Sequence, residues 1–359
     1  MKILVLDDGI KGNLNQAQGV AQALPGGEIQ IVPIRLRGLT YSLPGRKGRY
    51  KLASKIIALF CRCRLWKLAQ RFLNFFLERP LPQLPEKNNV CVISAGSVLA
   101  PVNLTIARTY GWRSVILMVP SWLPLSLFDL AIIPYHDFCR MKQLGKNVLV
   151  TLGSPNSITP SVLQMYRQEF SQIVSVPPGS EIIGILLGGN DQNYRITVTW
   201  TKKLLAGLRT YAKGHRVSLL FTTSRRTPEN VVQYLQKQLP RWQAVVYAEY
   251  PGHLPGKSYY WGILACSDIL VVTEDSINMI SESITAGKKV IVVGVERKSA
   301  RKLIFDETFK KMAQRNHILY LSTVEPDRLS ECLSACHKYN FKAMNEAEIC
   351  AQRILPLFH

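Results

Sequence analysis

The sequence predicts an α/β protein of two Rossmann-like domains whose parallel sheets face each other across a cleft, and three observations carry that prediction. Short, apolar, β-branched runs alternate with helical stretches along the chain, as parallel strands joined by crossover helices do. The alternation starts twice, each time with a strand, a glycine-bearing loop and a helix. Between the two series stands Val176-Pro177-Pro178-Gly179, which breaks regular structure. A chain of 359 residues, 47% hydrophobic, is long enough for two cores. The expected division is an N-terminal domain 1–176, a C-terminal domain 180–342 and a last segment 343–359, whose helix crosses back onto the first domain.

In the first series the runs 3–6, 29–34, 90–93, 115–119, 130–133 and 148–150 read as strands, with helical stretches after Gly12, Arg49, Ala100 and Pro160. The second begins with strand 182–187 and a helix over 197–212. Strands at 217–221, 244–247, 269–272, 290–293 and 318–321 follow, and a final helix lies near 345–355. The N-terminal MKILVLDDG is a first β-strand rather than a signal peptide, because an acidic pair follows directly on a short apolar run. No helix that spans a membrane is expected. The eight Cys show no metal-ligand spacing and read as reduced thiols of a cytoplasmic protein without a zinc site.

A net charge of +21 calls for a partner or another explanation; nucleic acid, an anionic membrane and phosphorylated substrates are the candidates, and the distribution of charge helps to decide between them. From Arg35 to Arg79 twelve Lys and Arg stand against Glu78 alone, interleaved with Ile57, Leu59, Phe60, Leu65, Trp66, Phe72, Leu73 and Phe75. The basic stripe changes face near Cys61 to Arg64: Lys51, Lys55 and Arg62 share one side, Lys67 and Arg71 nearly the opposite one. Two half-helices or a kinked helix are expected over 46–79. They either lie on an anionic membrane surface or pack on the sheet with solvated basic faces. No nucleic-acid signature is present, so nucleic acid is not expected as a partner.

Function-bearing residues concentrate in Asp268 to Val293. Thr273, Asp275 and Ser276 fall at a strand's carboxyl end and a helix's amino terminus, where open α/β sheets bind ligands and helix N–H groups favour anions. Glu282 lies nearly two turns on, placed to accept hydrogen bonds from a ribose diol. The glycine loops, Asp8 to Gln16 and Gly188-Gly189-Asn190, let backbone approach a phosphate or sugar. Neither matches GxGxxG, and no GxxxxGK[ST] occurs, so no NAD or P-loop cofactor is indicated.

Taken in order, DGIKGNLNQ, SAGSVLAPV, PYHD, NVLVTLGSPN, LLGGN, TSRRTP and VVTEDSINMISES resemble the mitochondrial-fission family named for elongated mitochondria. The resemblance runs from about residue 5 to residue 295 and is weakest over 35–79. It implies a GT-B glycosyltransferase with a nucleotide-sugar as donor substrate and no further cofactor. Carried over, Glu282 would hold the ribose, Thr273, Asp275 and Ser276 would face the nucleotide, and Gly188, Gly189 and Asn190 would border the diphosphate. Ser224, Arg225 and Arg226 follow a strand, where guanidinium forks suit phosphate oxygens. Without a DxD motif in a sugar-binding context, the leaving diphosphate would be met by these Arg and helix termini, with no metal.

For the base that takes the acceptor's proton the candidates are Asp8, His136 and Asp137. Gly12, Asn15, Gln16 and Gly96 stand on the acceptor side. The sequence thus leads to a cytoplasmic transferase, peripheral on the inner face of a membrane, acting on a lipid-linked or glycolipid acceptor of the cell envelope. A noncatalytic, membrane-recruited adaptor and a nucleotide-sugar epimerase are the alternatives.

Overall fold

A computed structural model describes residues 1–38, 40–42, 49–82, 84, 89–139, 141, 145–253, 256–299, 301–321 and 328–358. Arg46 and Lys47, at the start of the expected basic segment, lie outside them. The chain divides into two compact units, Met1–Ser157 with Asn345–His359, and Ile158–Met344.

The first unit runs β1 (Lys2–Asp7), α1 (Lys11–Gln22), β2 (Glu28–Pro33), β3 (Thr40–Ser42), β4 (Arg49–Lys51), α2 (Leu52–Arg62), α3 (Trp66–Phe76), β5 (Val90–Ala95), α4 (Ala100–Tyr110), β6 (Arg113–Leu117), β7 (Leu130–Pro134), α5 (Tyr135–Phe138) and β8 (Val148–Thr151). Its parallel sheet has the order β2-β1-β5-β6-β7-β8. Alternate residues of a strand point to opposite faces. Accordingly Leu4 and Leu6 join the core under α2, α3 and α4, while Ile3 and Val5 join the core under α1.

The second unit continues with α6 (Pro160–Ser171), β9 (Glu181–Leu187), β10 (Tyr194–Arg195), α7 (Val198–Gly214), β11 (Val217–Thr223), α8 (Glu229–Gln238), β12 (Val245–Glu249), α9 (Tyr260–Cys266), β13 (Ile269–Thr273), α10 (Ile277–Thr285), β14 (Lys289–Val293), β15 (Glu296–Arg297), α11 (Asp306–Gln314), β16 (Leu319–Leu321) and α12 (Leu329–Cys336). Its six-stranded sheet is also parallel, ordered β12-β11-β9-β13-β14-β16. The last helix, α13 (Glu346–Ile354), belongs to the first unit. It buries Cys350, Ala351 and Ile354 in the α1-side core, and Glu346 Oε1 accepts the Leu152 and Gly153 amides at 2.7 and 3.0 Å.

The division falls at Ser157, before α6, rather than at the Val176–Gly179 break. Packing decides this. A Cβ on Gly262 would lie 2.7 Å from the Phe170 side chain, so α6 seats its aromatic ring directly on the backbone of α9. Arg167 also donates to the Ala265 carbonyl at 2.6 Å, at the carboxyl end of α9.

The basic segment forms two helices, with Arg64 in the left-handed region (φ 56°) between them. Ala53, Ile57, Ala58 and Cys61 of α2 and Ala69 and Leu73 of α3 are buried, in the core that α4 also covers. Phe60 and Phe72 stack at 4.7 Å between the two helices. The hairpin thus packs on its own unit while its outer side stays apolar as well as basic: Leu59 is 60% exposed, Leu65 47% and Phe75 71%, among exposed Lys55, Arg62, Lys67 and Arg71. The chain enters and leaves through one bridge, Leu36 to Leu77, flanked by Arg37 N to Phe76 O (2.7 Å) and Glu78 N to Arg35 O (2.9 Å). Among the described residues no helix is long and apolar enough to cross a membrane.

Candidate functional site

In each sheet the winding reverses once, between β1 and β5 in the first unit and between β9 and β13 in the second. Chains leaving those neighbouring strands turn to opposite faces and open a crevice at the carboxyl edge. Every candidate residue except those within α1 and α10 ends or follows a strand at such an edge.

In the second unit the loops after β9, β11 and β13 are tied into one assembly. Gly188 N donates to Thr273 Oγ1 at 2.8 Å, and Gly189 N to Asp275 Oδ2 at 2.8 Å. Arg226 Nη2 reaches the same Oδ2 at 2.9 Å. Asn190 N donates to the Arg226 carbonyl, and Asn190 Oδ1 accepts Ile196 N at 2.8 Å, which holds the following loop closed. Ser224 shapes the basic turn: its Oγ accepts Arg226 N at 3.1 Å and its N–H goes to Thr227 Oγ1. Arg225 lies over Gly252, where a Cβ would come 2.6 Å from its Cγ.

The two glycines make room for the protein itself. A Cβ on Gly188 would lie 2.1 Å from Asp275 Oδ2, and one on Gly189 the same 2.1 Å from the Arg226 carbonyl carbon. Asp275 has a fully buried side chain, and burial holds its carboxyl above the usual range against the pull of Gly189, Thr273 and Arg226. Ser276 is the N-cap residue of α10 but makes no side-chain capping bond. Glu282, buried on α10, accepts Tyr260 OH at 2.6 Å. Burial, and then Glu282 itself, push that phenol well up, so it stays a donor.

In the first unit Asp8 Oδ1 accepts Ile10 N (3.0 Å) and Oδ2 accepts Asn13 Nδ2 (3.0 Å). A Cβ on Gly96 would lie 3.0 Å from the same Asn13 nitrogen, so Asp8, Asn13 and Gly96 meet at the β1/β5 crevice. Gly12, Asn15 and Gln16 lie on the first two turns of α1, with Ser157 Oγ donating to the Asn15 carbonyl. His136 and Asp137 form the short α5 after β7, with Nε2 and Oδ2 3.9 Å apart. β5 and β6 lie between β1 and β7. Three strand spacings of about 4.8 Å therefore part Asp8 from the His136–Asp137 pair, roughly 14 Å. The three base candidates are not one constellation.

Residues of these assemblies to which the sequence assigned no role include Asn13, Thr227, Tyr260 and Glu274. Asn13 carried a signal, an amide on the first turn of the helix after Asp8. Tyr260 carried none, being 22 residues from Glu282. Glu274, with no side-chain exposure, anchors the β13 loop from below through Arg297 (2.8 Å), Tyr320 (2.8 Å) and Val295 N (3.1 Å).

Comparison with known proteins adds the following. One family, described as Mitochondrial fission ELM1, matches residues 11–358. An uncharacterized protein of Rickettsia prowazekii (strain Madrid E) is 20% identical over 390 residues, covering 99% of this chain and 98% of the relative. Among solved structures, the UDP-GlcNAc 2-epimerase of Neisseria meningitidis bound to UDP-GlcNAc is similar with a TM-score of 0.54 at 14% identity, covering 99% of both chains. The Methanocaldococcus jannaschii UDP-GlcNAc 2-epimerase, in complex with UDP-GlcNAc and UDP, gives 0.53 at 11% identity and the same coverage. The fold is thus α/β of the GT-B kind, with two Rossmann-like domains.

Proposed function

The chain belongs to the mitochondrial fission ELM1 family, and from that premise we propose that it is a glycosyltransferase taking its sugar from a nucleotide-sugar and passing it to a lipid-linked or glycolipid acceptor. The observation that carries the reading is the assembly at the β9/β13 crevice: a basic turn, a helix amino terminus and a buried carboxylate on that helix, joined at the carboxyl edge of a Rossmann-like sheet. Such an edge suits a nucleoside diphosphate. In our reading Glu282 accepts the ribose hydroxyls, the α10 terminus at Ser276 faces the nucleotide, and Arg225 and Arg226 meet the diphosphate charge that grows as the sugar departs, without a metal. The neighbours named above hold UDP-GlcNAc, which supports nucleotide-sugar as the ligand class.

The first unit supplies the base, either Asp8 or the His136–Asp137 pair, and Asn15, Gln16 and Gly96 line the acceptor's side. The hairpin α2–α3 favours transfer to a lipid-bound acceptor over epimerisation, since an epimerase needs no apolar, basic outer face. Leu59, Leu65 and Phe75 would enter the interface of the inner membrane leaflet while Lys55, Arg62, Lys67 and Arg71 meet anionic head groups.

Thermal unfolding in the presence of uridine, guanosine, cytidine or thymidine diphosphate tests the donor. A ligand bound to the folded state raises its melting temperature, by about 2.7 kcal/mol of stability at a hundredfold excess over Kd. One diphosphate should stabilise the protein and lose that effect in Glu282→Ala; no shift with any of the four removes the transferase reading.

A further inference from the structure

The glycine loop of the second unit already holds an anion, and the anion is part of the protein. All three of its amides are committed: Gly188 N to Thr273, Gly189 N to Asp275 and Asn190 N to the Arg226 carbonyl. The space that a Cβ on Gly188 would fill contains both carboxylate oxygens of Asp275, at 2.1 and 2.2 Å. Arg226, the guanidinium nearest the loop, spends Nη2 on the same carboxylate. A glycine loop at a helix amino terminus attracts phosphate because its N–H groups are free and its surroundings positive. Here the N–H groups are taken, and the Asp275 carboxylate offsets the positive charge of the turn beside them. An arriving phosphate would find each N–H donated inward and a buried negative charge at the centre.

Resting on the nucleotide-sugar reading above, we propose that Asp275 is a specificity-determining residue, the resident anion of the Gly188-Gly189-Asn190 loop. It keeps phosphate off this loop and leaves to it the uncharged, hydroxyl-bearing part of the ligand. The diphosphate is turned to the outer side of the basic turn, towards Arg225, whose stem lies over Gly252, and the exposed side of the Arg226 guanidinium. Replacing the carboxylate by an amide of the same shape removes the charge and gives the full positive charge of Arg226 to the diphosphate.

Titration calorimetry with UDP, and with uridine as its phosphate-free counterpart, tests this on the full chain, Asp275→Asn and Asp275→Ser. UDP affinity should rise at least tenfold in both variants while uridine affinity stays within twofold. Hydrogen exchange on the unmodified protein gives an independent reading: the Gly189 amide should keep its protection when UDP binds, because its partner stays Asp275. Unchanged or weaker UDP binding in variants with native circular dichroism overturns the proposal and leaves the donor reading standing, as does a Gly189 amide that loses protection on binding. If UDP binds none of the three chains, the donor reading falls and the proposal with it; binding gained only in the variants supports the proposal.

Discussion

Gly188→Ala is the substitution whose cost the geometry fixes most closely. The new methyl would lie 2.1 Å from Asp275 Oδ2, whereas ordinary contact begins at 3.4 Å. The carboxylate must retreat by more than an ångström from a buried position, and both its bonds then break. Losing the charge-assisted bond from Gly189 N costs about 1.5–3 kcal/mol, and crowding a packed interior adds about 1–3 kcal/mol. The Arg226 pair adds only about 0.5 kcal/mol, because that guanidinium is 42% exposed and screened by water. The sum is roughly 5 kcal/mol. For a unit of this size the calorimetric transition should fall by about 10–20 °C. The same alanine placed in Asp275→Ala meets no carboxylate, so the double mutant should recover about 2 kcal/mol relative to the sum of the singles. A single mutant costing under about 1 kcal/mol, or strict additivity of the pair, would refute the claim that Gly188 exists to admit Asp275.

Three further outcomes are expected. Tyr260→Phe frees Glu282 from its phenolic clamp: affinity for UDP should drop about tenfold, as one charged hydrogen bond of about 1.5 kcal/mol allows, while 2′-deoxy-UDP should lose less; equal losses would detach Tyr260 from the ribose. On the hairpin, Ile57→Ala should cost about 2–5 kcal/mol. Phe75→Ser should leave the melting temperature within about 2 °C yet reduce flotation with anionic liposomes, and equal effects of the two on stability would contradict an outward-facing Phe75. Burial lifts the Asp275 carboxyl above its ordinary 3.8, so the folded state holds that proton more tightly than the unfolded one. The stability this confers is complete below about pH 4 and is lost as pH rises through the raised value. Asp275→Asn should flatten that part of the stability curve, which denaturation at a series of pH values would read.

Strand positions were legible because the central strands of both sheets are buried on both faces and so read as largely apolar runs. The break between α2 and α3 was legible for a different reason: the basic stripe changes face there, and a single straight helix would have to bury Lys67 or expose Ile57. The position of α6 was not. Val176-Pro177-Pro178-Gly179 marks a local break, while the side on which the preceding helix packs is set by Phe170 meeting Gly262 across 92 residues. At the candidate site the strand ends announced which loops gather. That Asp275 turns inward to Gly189, 86 residues away, depends on the register of β9 against β13, which no local pattern encodes.

The bridge between Leu36 and Leu77 makes the hairpin a cassette. Its two ends stand one strand spacing apart, so lengthening or shortening what lies between them changes the closure entropy only logarithmically, by about 0.6 kcal/mol per doubling. A different hairpin could be grafted between these two residues without disturbing β2 or β5, provided that it brings counterparts of Ile57 and Leu73 to cover α4. The exposed apolar and basic side of the hairpin could then be altered by transplantation, independently of the loops at the sheet's carboxyl edge.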